Sequence, residues 1–167
     1  MIVLEGLPAL SPFRLERLEA RLRATAPDAR IVGAWLTYWV EPDKGAEPDV
    51  AVLSRILQAT DTCRPCEPGA TSRHVVPRLG TISPWASKTT ELLHGADVPV
   101  KRVERGTRID IAGWPADAAA RAELDRILHD AMTQSLLDDT AAAAAMFVEP
   151  ARGALERIPL DALEQAN

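Results

Sequence analysis

The strongest constraint on this chain is a repeat. Pro8-Ala9-Leu10-Ser11-Pro12-Phe13 and Gly80-Thr81-Ile82-Ser83-Pro84-Trp85 share one order of residue types: turn former, small residue, aliphatic, serine, proline, aromatic. In each copy the serine is suited to cap free N–H groups at a helix start, and the proline fits the first turn, where its missing N–H costs nothing. A short, largely apolar run precedes each copy, Ile2-Val3-Leu4-Glu5 in one case and Val75-Val76-Pro77 in the other. Each therefore reads as a strand, a turn and a capped helix.

The elements that follow repeat as well. Leu15, Leu18 and Leu22 recur at helical spacing, with Glu16, Arg17, Arg21 and Arg23 outside. Residues 31–40, rich in β-branched and aromatic types, predict a long strand. After a turn at 41–48, Val52, Leu53, Ile56 and Leu57 mark a second helix, and the aperiodic stretch 60–72 reads as a linker. The second copy predicts a strand over 73–78, a helix over 84–94 closed by Gly95, and an extended run over 98–111 with a bulge or bend at Gly106. A final long helix opens at Pro115, its inward stripe being Leu124, Ile127, Leu128, Ala131, Met132, Ser135 and Leu136.

The implied fold class is α+β: two β-α-β-α units, 1–62 and 73–140, with helices packed on an antiparallel or mixed sheet. Halves of about 70 residues are marginal alone and gain by packing as an internal pseudo-dimer. After Leu137 the pattern changes. The run Ala141 to Ala145 favours helix but lacks a stripe, and 141–167 is expected to be the start of a linker to a further domain, cut short at Asn167.

Composition excludes several roles. A net charge of -5 opposes general nucleic-acid binding, which needs a concentrated basic face. Arginines at 14–23 and 101–108 interleave with acidic residues, as solvated faces do. No run approaches the roughly 18 apolar residues of a membrane span, and the N-terminus lacks a signal-peptide layout, so a cytoplasmic protein is expected.

Candidate chemistry concentrates at residues 78–89. A helix N-terminus carries unpaired N–H donors and partial positive charge, so Ser83, Ser87 and Lys88 are placed to hold an anion. Ser87-Lys88-Thr89 resembles the end of a phosphate-binding P-loop, but Ile82 and Ser87 stand where that motif needs glycine. Cys63-Arg64-Pro65-Cys66 is a lone C-x-x-C with no second pair and only His74 nearby, a weak redox or metal signal. His74, His94 and His129 are scattered and read as partly exposed or helix-surface residues. No catalytic residue or metal ligand is assigned, and Trp35, Trp39, Trp85 and Trp114 read as core or interface anchors.

The run Pro77-Arg78-Leu79-Gly80-Thr81-Ile82-Ser83-Pro84-Trp85-Ala86-Ser87-Lys88-Thr89, followed by Val103-Glu104-Arg105-Gly106, resembles the N-terminal domain of the large, single-chain formylglycinamide ribonucleotide amidotransferases of purine biosynthesis (the PurL family). Gly6 to Arg14 also fits, and Ile158 to Asn167 is similar to the start of that family's linker domain. The resemblance implies a PurS-like pseudo-dimer and a non-catalytic scaffold in an ATP- and glutamine-dependent ligase. The ATP and Mg sites and the glutaminase triad would lie in later domains. Its partners would be the synthetase, linker and glutaminase domains of the same polypeptide, docked so that an ammonia channel stays closed, with no nucleic acid or membrane partner. Arg78, Thr81, Ser83, Trp85, Ser87, Lys88 and Arg105 form the candidate interface or anion-binding turn. The alternatives are a free-standing PurS-like adaptor and an ACT-like small-molecule sensor.

Overall fold

The computed structural model describes residues 1–148. The expected linker-domain start at 158–167 lies outside the described residues. Elements run β1 (Ile2–Pro8), α1 (Pro12–Arg23), β2 (Arg30–Pro42), α2 (Val50–Leu57), β3 (Thr71–Pro77), α3 (Pro84–Gly95), β4 (Val100–Ala112), α4 (Ala118–Leu128), β5 (Gln134–Leu137) and a 3-10 helix (Ala142–Phe147).

The duplication is visible in element lengths. β1 and β3 each have 7 residues, α1 and α3 each 12, and β2 and β4 each 13. Both serines cap as expected: Ser11 Oγ accepts from Arg14 N–H, and Ser83 Oγ accepts from Ala86 N–H. The sheet order is β1-β2-β4-β3-β5 and every pairing is antiparallel. The two long strands lie side by side at the centre with β1 and β3 flanking them, the arrangement of a pseudo-twofold.

Strand alternation then divides the side chains between two faces. On the helix-bearing face, α2 and α3 bury Leu53, Leu57 and Leu93 against Leu4, Tyr38, Val40 and Val103. Separately, α1 and α4 bury Leu22, Leu124 and Leu128 against Ala34, Val75, Ile109 and Ile111. Each fully buried leucine contributes about 1.5–3 kcal/mol. The opposite face has a small cluster in which Ala143 and Met146 of the 3-10 helix cover Trp39 and Val76. The stripeless alanine run thus packs on the sheet through Ala143, next to Met146 just beyond it. No helix among the described residues is long and apolar enough to cross a membrane.

Three local expectations are corrected. The last helix stops at Leu128 instead of running to Leu136, because Asp130 organises a turn. Its carboxylate accepts from Met132 N–H and Thr133 hydroxyl, and its carbonyl accepts from Gln134 N–H. Met132 is consequently 79% exposed, and 134–137 returns as β5 on the free edge of β3. Gly95 is the last helical residue and not a left-handed cap; Asp97 adopts the positive φ of 57°.

Gly106 makes no bulge. It sits in register opposite Thr37, and its role is close approach: a Cβ there would lie 2.6 Å from the Val75 carbonyl oxygen and 2.9 Å from the Trp39 ring. Gly106→Ala is therefore expected to lower stability by about 1–3 kcal/mol through overpacking. Gly95→Ala, with nothing within 4 Å of the added methyl, should raise stability by up to about 1 kcal/mol. Paired denaturant titrations check both, and equal effects of the two substitutions would contradict the assignment.

Candidate functional site

Residues 78–82 form a pinned turn. Gly80 takes a φ of +79°, Thr81 N–H and hydroxyl both donate to the Arg78 carbonyl, and the Thr81 carbonyl accepts from Arg102 Nη2 at 2.7 Å. At the start of α3, Ser83 Oγ donates to Glu104 Oε2 at 2.8 Å and Ser83 N–H donates to Glu104 Oε1 at 3.3 Å. Glu104 is fully buried and is also held by Arg102, whose Nη2 lies 2.5 Å from Oε1. The positive end of α3 therefore already has its anion, a carboxylate of the same chain.

The remaining predicted residues separate. Arg78 is exposed and donates to the Met132 carbonyl. Ser87 is exposed and bonds back to the Ser83 carbonyl, while Lys88 is exposed and belongs to no ion pair among the described residues. Arg105 and Trp85 do meet: the guanidinium lies 4.7 Å from the ring centroid, and Trp85 packs at 5.7 Å on Tyr38. Burial pushes the Tyr38 phenol up, against the pull of Arg105.

A cleft of about 400 Å³ opens between the two helix pairs, where β3 parts from β4 after the Val75–Thr107 pair. Leu36, Val75 and Pro77 supply apolar walls; Arg105, Thr107 and Gln134 supply polar ones. Ser83 stands at its margin, so two of the predicted residues, Ser83 and Arg105, line the same cavity.

The opposite face carries a buried charge network that sequence reasoning missed. Arg108 donates from Nη1 to Glu5 Oε2 at 2.8 Å, and from Nε and Nη2 to the two Asp110 oxygens at 2.9 and 2.6 Å. Glu5 and Asp110 are 1% and 0% exposed. Ser72 hydroxyl donates to Asp110, and Arg64 of the 60–72 stretch donates to Glu5 from backbone N–H and guanidinium while stacking on Trp35. The 101–108 arginines are thus not all solvated. The available signal was Arg102 with Glu104, and Arg108 with Asp110, each pair standing two residues apart on one strand face.

His74 is likewise buried, at 4% exposure, and packs edge-on to Trp39. Burial, then Arg108, hold its imidazole below the usual histidine range. Cys63 and Cys66 line a second, 250 Å³ pocket with Glu5, Thr37, His74 and Arg108. Burial and Glu5 push the Cys63 thiol up, the wrong direction for a nucleophile. No group of three or more His, Cys, Asp or Glu able to hold a metal occurs among the described residues.

Two outcomes follow. Arg108→Met strands two buried carboxylates and is expected to cost about 3–5 kcal/mol in chemical denaturation. His74 is held neutral in the native state, so its contribution to stability is fully present above the ordinary value of 6.5 and is lost as pH falls from there through the lower native value. His74→Leu should flatten that part of a stability–pH profile, and an unchanged slope would contradict the assignment.

The pinned turn and, apart from Ala9 and Glu5, the described lining of the cleft and the Arg108 charge network lie within one matched region. A family model described as formylglycinamide ribonucleotide amidotransferase N-terminal matches residues 35–147, from within β2 to the end of the 3-10 helix and well over half of the chain. The sequence resemblance carried by residues 77–89 and 103–106 and this match agree, and the chain belongs to the formylglycinamide ribonucleotide amidotransferase N-terminal family.

Proposed function

We propose that this chain is a non-catalytic scaffold and interface portion of the cytoplasmic amidotransferase. It docks the synthetase, linker and glutaminase domains of the same polypeptide and helps keep the path of released ammonia closed to water. Family membership supports participation in that enzyme. The observation that carries the docking role is the 78–82 turn. Its backbone is tied down by Arg78, Thr81 and Arg102, yet it presents Ile82 at 62% and Leu79 at 37% exposure. A rigid turn displaying apolar side chains in a polar frame is what the centre of an interface requires.

The chemistry belongs elsewhere in this reading. A nucleophile needs an orienting base, and the buried charges here are paired with one another. The described residues form neither a glycine-rich phosphate loop nor a three-ligand metal cluster, which supports placing the ATP and Mg sites in other domains.

The test uses the full-length enzyme. Ile82→Asp removes exposed apolar surface without touching the core. It should leave the melting temperature of the 167-residue chain unchanged while lowering glutamine-dependent turnover several-fold relative to turnover on added ammonia. Equal rates of both reactions in variant and parent would overturn the docking role of the turn.

A further inference from the structure

We propose that the cleft between the helix pairs binds a small anionic ligand, a carboxylate or a phosphate monoester, with Arg105 as its charge partner. The helix start is not the site, because Glu104 occupies it. The argument rests instead on charge accounting along β4. Of its three arginines, Arg102 is paired with Glu104 and Arg108 with Glu5 and Asp110, whereas Arg105 has no carboxylate partner among the described residues.

Arg105 is also held ready. Stacking on Trp85 restricts its guanidinium at the mouth of the cleft, so less rotamer freedom is lost when an anion is bound. Two further donors line the same cavity. The Thr107 hydroxyl makes no hydrogen bond among the described residues, and Gln134 uses its Oε1 to accept from Asp130 N–H, leaving its amide nitrogen free to donate. Among the described residues no Asp or Glu lines the cleft, in a chain whose net charge is -5.

The dimensions define the rest of the ligand. A cavity of about 400 Å³ falls in the range of small-molecule sites, and Leu36, Val75 and Pro77 offer an apolar wall for the non-ionic part. The ligand is therefore a compact metabolite with one anionic end. This inference is independent of the docking role of the 78–82 turn, since the cleft can fill in the 167-residue chain alone.

Titration of the 15N-labelled chain with inorganic phosphate and, separately, succinate, against sodium chloride at matched ionic strength, tests the assignment. Saturable shifts are expected at the Arg105 side-chain N–H, the Thr107 amide and the Gln134 side-chain amide with at least one of the two anions, and the anion that saturates at lower concentration identifies the headgroup. Arg105→Gln should weaken that binding about tenfold or more, as loss of a charge-assisted pair does. Thr107→Val, an independent and milder change, should weaken it a few-fold. Shifts that sodium chloride reproduces, shifts confined to other regions, or unaltered affinity in both variants would overturn the proposal.

Discussion

Arg108, clasped between Glu5 and Asp110, is the interaction on which the sheet depends. It joins β1 to β4 across the hidden middle of β2, and Ser72 and Arg64 extend it to β3 and to the 60–72 stretch. Taking these charges out of water costs several kcal/mol per ion, so the cluster is tolerable only when every partner is in place. A one-residue slip of β4 would turn Arg108 and Asp110 onto the helix-bearing face, among Leu22, Leu124 and Val75. The network therefore penalises wrong registers more than it rewards the right one.

The pseudo-twofold has a second consequence. Because the helices pair across the two halves, α2 with α3 and α1 with α4, the apolar surface gathers into two clusters with a gap between them. The cleft occupies that gap, and Gly106 holds the strands close beneath it. The symmetry is broken at the edges. Among the described residues β3 is extended by β5, whereas β1 receives only a single bridge from Thr60 to Glu5. The strand-to-helix turn is also longer in the second half, which is where the exposed Leu79 and Ile82 arise.

Much of this fold was legible because its signals are local. The paired Ser-Pro starts, the long β-branched strand and the apolar spacing of α1 and α2 are properties of short windows, and all appear as read. The misreadings have one cause, a local pattern that fits two structures. Ser135 and Leu136 suit a helical stripe as well as a strand, and only the open edge of β3 made them β5. Glycine after a helix suggests a cap, but here Asp97 took the left-handed conformation. His74 looked surface-exposed because nothing nearby in sequence announces Trp39 and Arg108 as its neighbours.

The candidate site divides in the same way. That Ser83 would cap a helix was written in the sequence, since capping involves residues three apart. That the cap would also bind Glu104 was not, because the partner lies 21 residues away and arrives only when β4 enters the sheet. Sequence by itself determined the elements from β1 to β4, their twofold repetition and the family, all encoded by neighbours along the chain. Tertiary structure alone decided which of the three β4 arginines meet a carboxylate among the described residues and which does not. Pairing a charge requires bringing an opposite one across the sheet, and register sets that distance, not sequence separation.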